Sequence, residues 1–480
     1  MNFNSFEFGL FFLIVYALYL SLGHRWQNRL LLAASYIFYS FWDWRFLGLI
    51  LFSTATDFLC ALGIGINPDR QYMRKRFLWL SVGVNLSVLF FFKYFNFFID
   101  NFVALFSLFG VSLHLPTWRI VLPVGISFYT FQTLSYTIDV YRRQVEPTRR
   151  FGDYALYVAF FPQLVAGPIE RAKNLLPQIL TPRHLNKGDL SEGLFLIYWG
   201  LFKKIFIADN IGGLLAFSDH LPVQGEPTGG VVLVSTYAFM FQLYCDFSAY
   251  SDIARGAARL LGFDIMVNFR APLFAPNIQE TWNRWHISLT SWIRDYLYFP
   301  IALTRIGKKH MDVRLVVILT FLIMGLWHGA SWNYVLWGGY NGLILAAYAV
   351  IAPRLKRWRR GIPKNAFRNR VWYVLSVLLT FHVAIFGVLF FRATSLAQIG
   401  HWLHSLFTDF AITPQAVGLF IQMMGYALPL LILDVLIYRN EDIRRLFRYP
   451  VWLRYGFLYL TFYLMAVHHA ITGNFIYFQF

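Results

Sequence analysis

Arg314-Leu315-Val316-Val317-Ile318-Leu319-Thr320-Phe321-Leu322-Ile323-Met324-Gly325-Leu326-Trp327-His328-Gly329-Ala330-Ser331-Trp332-Asn333 is the stretch whose reading decides the fold. An apolar run leaves a basic loop at Leu315 and meets a polar break at His328. Apolar character then resumes over Tyr334 to Ala352. A helix rises ~1.5 Å per residue, so His328 stands ~20 Å along it, inside a hydrocarbon core ~30 Å thick. Gly329 beside it can end the helix. A histidine at that depth is costly. It is either a buried general base or a structural group bonded to a neighbouring helix.

The rest of the chain repeats this pattern. Of 480 residues, 58% are apolar and 14% are charged, where a soluble domain carries about 25% charged residues. The apolar set is enough for at most roughly 14 membrane spans. Disorder is excluded, because the chain has too much to bury. The runs are long and unbroken rather than alternating, which argues against a porin-type barrel and a soluble enzyme. They fall near 6–23, 30–42, 46–66, 77–93, 95–112, 119–139, 153–168, 192–217, 231–265, 315–327, 334–352, 371–391, 416–438 and 451–471. Several are too short to cross alone and predict tilted, broken or re-entrant pieces. The expected fold is an all-α polytopic membrane protein with roughly 10–13 transmembrane helices. No repeat and no soluble domain is visible, so residues 1–480 read as a single integral membrane domain.

Net charge is +18, from 42 Lys and Arg against 24 Asp and Glu. The basic residues sit in short blocks between apolar runs, as in cytoplasmic loops, and do not suggest nucleic acid. The blocks are Arg70 to Arg76, Arg142 to Arg150, Arg305 to Arg314, Arg354 to Arg370 and Arg439 to Arg454. Ser218 to Gly230 holds Asp219 and Glu226 without Lys or Arg, and is expected outside. The N-terminus lacks a basic region and a small-residue cleavage site, so the first run reads as a retained span. Arg25 and Arg29 follow that span, which places the N-terminus outside. Cys60 and Cys245 lie in apolar surroundings and read as small buried hydrophobes, not a disulfide.

Three further clusters put polar groups where lipid should not tolerate them. In Trp282-Asn283-Arg284-Trp285-His286-Ile287-Ser288-Leu289-Thr290-Ser291-Trp292-Ile293-Arg294-Asp295-Tyr296, the residues Trp282, Trp285, Leu289, Trp292, Tyr296 and Phe299 recur at helical spacing. His286, Thr290 and Arg294 fall on another face. This predicts one amphipathic or re-entrant helix ending at Pro300, serving either as an interfacial anchor or in the site. In Tyr244-Cys245-Asp246-Phe247-Ser248-Ala249-Tyr250-Ser251-Asp252, two carboxylates need partners or water, and a hydrogen-bonded break between helices is expected. In Phe160-Phe161-Pro162-Gln163-Leu164-Val165-Ala166-Gly167-Pro168-Ile169-Glu170-Arg171, the prolines stop a helix and Glu170 can pair with Arg171. No metal site is expected. HExxH is absent, His286 and His328 lack a third-ligand pattern, and His468 and His469 point to different faces. No GxSxG occurs, and Cys245 has no basic neighbour in sequence.

Taken together, these clusters resemble the membrane-bound O-acyltransferase family, most closely its bacterial alginate O-acetylase-like branch. The resemblance is carried by Phe161 to Pro168, Asp246 to Asp252, Trp282 to Leu289 and Gly325 to Gly329. Pro123-Val124-Gly125-Ile126-Ser127-Phe128-Tyr129 and Ile138-Asp139-Val140-Tyr141-Arg142 add to it. The motifs define a family-like core of about 120–345. Ala249 stands where the branch often has Gly, which bears on the polysaccharide and not on the reaction class.

The resemblance implies tilted helices around a central tunnel, with His328 as the catalytic histidine and His286 as the second active-site position. Asn283, Arg284, Arg294, Asp295, Asp246, Ser248, Trp327 and Asn333 are the candidate substrate-binding or tunnel-lining residues. The expected reaction moves an acyl group, acetyl first, from a cytoplasmic thioester donor (acetyl-CoA or an acyl carrier) for O-acetylation of an exported polysaccharide such as alginate or cellulose. No tightly bound cofactor is expected. The expected setting is the bacterial inner membrane, with membrane lipid around the chain and a periplasmic acetyltransferase or polymer-binding protein as partner. Two alternatives stay open: D-alanyl transfer to a cell-envelope polymer, and a polysaccharide-precursor transporter or flippase. A transporter would favour inverted repeats with matched broken helices, and none is visible.

Overall fold

The structure is a computed structural model that describes residues 1–113, 115, 118, 120–220, 227–306, 309–360, 365–438, 449–468 and 475–476. Parts of the expected outer loop (221–226) and of three basic blocks (307–308, 361–364, 439–448) lie outside the described residues, as does His469.

The helices, in chain order, begin with α1 (Phe6–Ser21), α2 (His24–Asp43), α3 (Leu47–Ile66), α4 (Gln71–Leu89) and α5 (Phe95–Leu108). Next come α6 (Ile126–Tyr141), α7 (Phe151–Ala159), α8 (Ala172–Leu180), α9 (Lys187–Phe202), α10 (Asp209–His220) and α11 (Gly229–Leu260). The short α12 (Ile278–Arg284), α13 (Ile287–Ile293) and α14 (Phe299–Leu303) precede α15 (Val313–His328) and α16 (Trp332–Arg360). The chain continues with α17 (Ala366–Arg392), α18 (Leu396–Thr408), α19 (Pro414–Tyr438) and α20 (Val451–Val467). Among the described residues, the strands are one short hairpin, β1 (Arg305–Ile306) against β2 (Lys309–His310). The all-α expectation holds.

Among the described residues, six helical stretches are long and apolar enough to cross a membrane: His24–Ile66, Gln71–Leu108, Gly229–Leu260, Trp332–Trp358, Ala366–Arg392 and Pro414–Leu436. Three shorter apolar helices, α1, α15 and α20, accompany them. The chain is a multi-pass membrane protein. Its helix starts follow local chemistry: side-chain oxygens of Ser5, Asn365 and Ser395 accept from Phe8, Arg368 and Gln398 N–H, as N-caps do. Asp312 caps α15 by accepting from Arg314 N–H at 2.8 Å. The Arg314 guanidinium on the same carboxylate lowers its pKa to about 2.

The described residues form two compact units, Met1–Ile197 with Ser251–Met266, and Tyr198–Tyr250 with Val267–Phe480. In the first, α3 and α4 share a buried polar network. Asp57 accepts from Ser81 Oγ at 2.5 Å and from Asn85 Nδ2 at 2.9 Å, and Ser53 Oγ donates to Asn85 Oδ1 at 2.8 Å. Satisfied in this way, a buried carboxylate fixes helix register without an open charge. Helix α7 stops before Pro162, as expected. Buried Glu170 accepts from Asn174 Nδ2 at 2.8 Å and from the Met266 N–H. Cys60 and Cys245 are both free and buried, as read from the sequence.

Two sequence expectations are overturned. Residues 244–252 do not break the helix, since α11 runs unbroken through them. No Gly or Pro interrupts Val231 to Arg255, and Asp246 finds its partners from within a helical backbone. Residues 282–296, in turn, are not one helix. The chain breaks at Trp285–His286 between α12 and α13, then continues through a π turn at Arg294–Tyr298. The apolar spacing is right, but backbone pairing to residues 268–270 takes the place of the helical bonds.

Candidate active site

The second unit builds the site on the α15–α16 hairpin. Helix α15 ends at His328, and Gly329 follows in an extended conformation. The two helices approach closely. A Cβ at Gly325 would lie 3.2 Å from Gly338 Cα and against the Tyr334 carbonyl oxygen. The same holds in reverse for Gly338 against Phe321. This contact sets how closely α15 packs on α16, and with it the position of His328 at the end of α15.

His328 is 6% exposed and ringed by aromatics. Its imidazole meets Trp327, Trp337 and Phe391 edge-on, with centroids at 5.0, 5.0 and 5.3 Å. His286 is 1% exposed and meets Phe247 of α11 edge-on at 4.6 Å. Trp327 lies against His286 at 6.3 Å. One indole therefore touches both imidazoles. A small cavity of about 50 Å³ opens beside His328, with Trp282, Trp285, Trp337, Asn341 and Phe391 among its walls. That is room for a few water molecules or a small polar group. Among the described residues, the Trp282 indole N–H is buried and has no hydrogen-bond partner. A buried donor of that kind is available to a ligand oxygen.

His286 adopts a left-handed backbone conformation, φ 43° and ψ 55°, uncommon for a residue with a Cβ. Neighbours hold it there. Arg270 N–H donates to the Arg284 carbonyl at 3.0 Å, and Ile287 N–H donates to the Asn268 carbonyl at 2.9 Å. Ser288 Oγ donates to Asn268 Oδ1 at 2.6 Å.

The other candidate residues are placed as follows. Asp246 belongs to a buried ion cluster: Lys204 Nζ is 2.8 Å from both Asp246 Oδ1 and Asp209 Oδ1. The Ile476 N–H donates to the other Asp246 oxygen at 2.7 Å. Ser248 accepts from Lys203 Nζ at 2.8 Å. Asn333 donates to the Ala393 carbonyl at 2.7 Å and ties α16 to the end of α17. Exposed Asn283 donates to Glu280, which also pairs with Arg284 at 3.3 Å. Arg294 pairs with its neighbour Asp295 at 2.8 Å. The structure thus brings His286, His328 and Trp327 together, gives Asp246 and Ser248 to lysine partners, and leaves the arginines in local pairs.

Sequence reasoning missed Lys203, Lys204, Trp337, Phe391 and Asn268. Two adjacent lysines inside the apolar run 192–217 were a legible signal, since buried cations need carboxylates. The aromatics carried none, being a few among many. Among the described residues, no group of three or more His, Cys, Asp or Glu gathers.

The site combines two shielded imidazoles, a free indole donor and a small cavity. That arrangement suits proton abstraction next to a polarised carbonyl. Comparison with known proteins gives the chain's relatives. The membrane-bound O-acyltransferase family model matches residues 148–384, which contain both histidines. The chain is 40% identical to the probable alginate O-acetylase of Pseudomonas putida over 82% of its own length and 78% of that protein's. It is 39% identical to the probable alginate O-acetylase of Pseudomonas aeruginosa, over 85% of its length and 75% of the relative's. A peptidoglycan O-acetyltransferase of Helicobacter pylori is 34% identical over 76% and 71% of the two chains.

Proposed function

The chain belongs to the membrane-bound O-acyltransferase family, and from that premise we propose that it moves an acetyl group from a cytoplasmic thioester across the bacterial inner membrane for O-acetylation of an exported polysaccharide. The observation that carries this reading is the gathering of two buried histidines around Trp327, beside a small cavity. The names of the relatives, alginate O-acetylase and peptidoglycan O-acetyltransferase, support a carbohydrate polymer as the final acceptor.

An unactivated hydroxyl is a poor nucleophile. In this reading, neutral His328 takes its proton as the oxygen attacks the thioester carbonyl, a contribution of roughly 10²–10⁴-fold. The C–O bond forms, the C–S bond breaks, and the leaving sulfur takes up a proton. His286 steadies the donor or the developing oxyanion. The aromatic walls keep water from competing and strengthen each hydrogen bond made there.

The charge pattern supports the direction. The Lys- and Arg-rich loops mark the cytoplasmic side, which puts the N-terminus in the periplasm. The same basic loops, with Arg284 and Arg294, attract a phosphate-bearing donor such as acetyl-CoA or an acyl carrier. A separate periplasmic acetyltransferase or polymer-binding protein then receives the acetyl group and delivers it to the polymer.

Reconstitution tests the reading. Purified chain goes into liposomes with acetyl-CoA inside and polysaccharide outside, with and without the periplasmic partner. Thioester cleavage that requires an outside acceptor is expected. Uptake of a polymer precursor with the thioester intact would instead make the chain a transporter. Efficient polymer acetylation without a second protein would remove the relay step.

A further inference from the structure

We infer that Asn268 is a positioning residue for His286, and that the pairing of residues 268–270 with 284–288 is the device that presents the second histidine to the site. The inference rests on reading His286 as part of the active site.

The geometry carries it in three steps. A left-handed conformation at a residue with a Cβ is sterically unfavourable, and persists only where the surroundings over-determine it. Here a bond falls on each side of the strained residue. Arg284, before it, accepts from Arg270 N–H, and Ile287, after it, donates to the Asn268 carbonyl. Asn268 then makes a further contact through its side chain, accepting from Ser288 Oγ at 2.6 Å. Both Asn268 and Ser288 are almost wholly buried, at 1% and 0% exposure, so water cannot easily replace these bonds.

The consequence is directional. In an uninterrupted helix, the 286 side chain would fall on the face of Thr290 and Arg294, away from the apolar stripe. The turn at 286 redirects it, and the imidazole ends against Phe247 and Trp327. Asn268 is not among the residues lining the cavity, and the bonds named above lead from it to Ile287 and Ser288, the two residues that follow His286. It sits in the stretch between α11 and α12, and an asparagine there offers a side-chain acceptor that an apolar residue lacks.

The test uses the full chain in proteoliposomes with acetyl-CoA as donor. Kinetics are read beside thermal stability in detergent. Asn268→Ala is expected to lower kcat about 10- to 100-fold, with KM for acetyl-CoA near wild type, because the donor still binds while His286 is misdirected. In both variants the residue 268 carbonyl still accepts from Ile287 N–H, and Ser288→Ala removes the same side-chain contact from its other partner. It is expected to lower kcat about three- to tenfold at an unchanged folded fraction, and it keeps the question open to test if Asn268→Ala does not fold. The double variant should lose no more than Asn268→Ala alone, since both remove one bond. Asn268→Asp, which retains the acceptor, should recover part of the rate. Fully additive losses, or wild-type kcat in both single variants, would overturn the positioning role. Wild-type turnover in His286→Ala would overturn the site reading itself, and this inference with it.

Discussion

The indole of Trp327 reaches the imidazole of His286, ring centroids 6.3 Å apart, while its chain neighbour His328 presents a second imidazole 5.0 Å from the same indole. Two polar rings from distant parts of the chain therefore meet across one apolar wall. A proton taken up at either imidazole stays where an ion is poorly solvated, which favours handing it on quickly.

Replacing His328 by Ala is expected to lower acetyl transfer by roughly 10²–10⁴-fold with expression and thermal stability close to wild type. Its imidazole packs against Trp327, Trp337 and Phe391. Retention of a large fraction of activity by the purified variant would make His328 a packing residue.

Trp282→Phe keeps an aromatic ring against Phe321 and Trp337 but deletes the buried N–H that lacks a partner. If that N–H serves a bound oxygen, turnover falls about 5- to 100-fold, as for loss of one hydrogen bond to a charged group. Stability should not fall, since no bond inside the protein is lost. Unchanged kinetics would assign the N–H to solvent.

Lys204→Met and Asp246→Asn should differ in stability. The first leaves two buried carboxylates, Asp209 and Asp246, facing each other without their cation. Breaking such a pair costs about 3–5 kcal/mol. The second leaves Lys204 its partner Asp209, and is expected to cost about 1–3 kcal/mol. Thermal unfolding in detergent should rank wild type above Asp246→Asn, and Asp246→Asn above Lys204→Met.

Gly338→Ala places a methyl against the Phe321 carbonyl and 3.2 Å from Gly325 Cα. The α15–α16 backbones must separate, at about 1–3 kcal/mol. Because His328 is the last residue of α15, the same shift should lower kcat beyond what the loss of folded protein explains. Gly339→Ala is the control, since a Cβ there makes only ordinary contact, 3.5 Å from Leu322.

Topology follows from the Lys and Arg asymmetry. On a background lacking Cys60 and Cys245, a cysteine within 354–370 should resist an impermeant reagent in intact cells. One within 218–230 should react. Labelling of the first and protection of the second would reverse the orientation.

The helical membrane character was legible because apolar runs declare themselves through composition. The end of α15 was legible as well: Gly329 beside a histidine marked the stop, and the helix does end at His328. The path at His286 was not. Periodicity reports which residues are apolar, and Trp282, Leu289 and Trp292 are indeed buried. It cannot report that Asn268, many residues earlier, has captured the backbone between them. Asp246 shows the complementary limit. Its carboxylate demands a partner, but a single sequence does not name Lys204 as that partner, and a polar run between apolar ones reads as a broken helix. The arginines of 284 and 294 were read for their charge alone, while Glu280 and Asp295 lie close enough to pair with both.

The bond from Ile476 N–H to Asp246 spans 230 residues. A ribosome delivers Lys204 first, then Asp246, and the last contact of this buried cluster only long afterwards. During that interval one oxygen of Asp246 waits for a donor that has not yet been made. The aromatic ring of Phe475, 4.4 Å from Lys204 Nζ and 5.1 Å from Tyr250, arrives in the same late step. Completion of the cluster thus requires Ile476, and a chain cut short of it would leave this Asp246 oxygen without that donor.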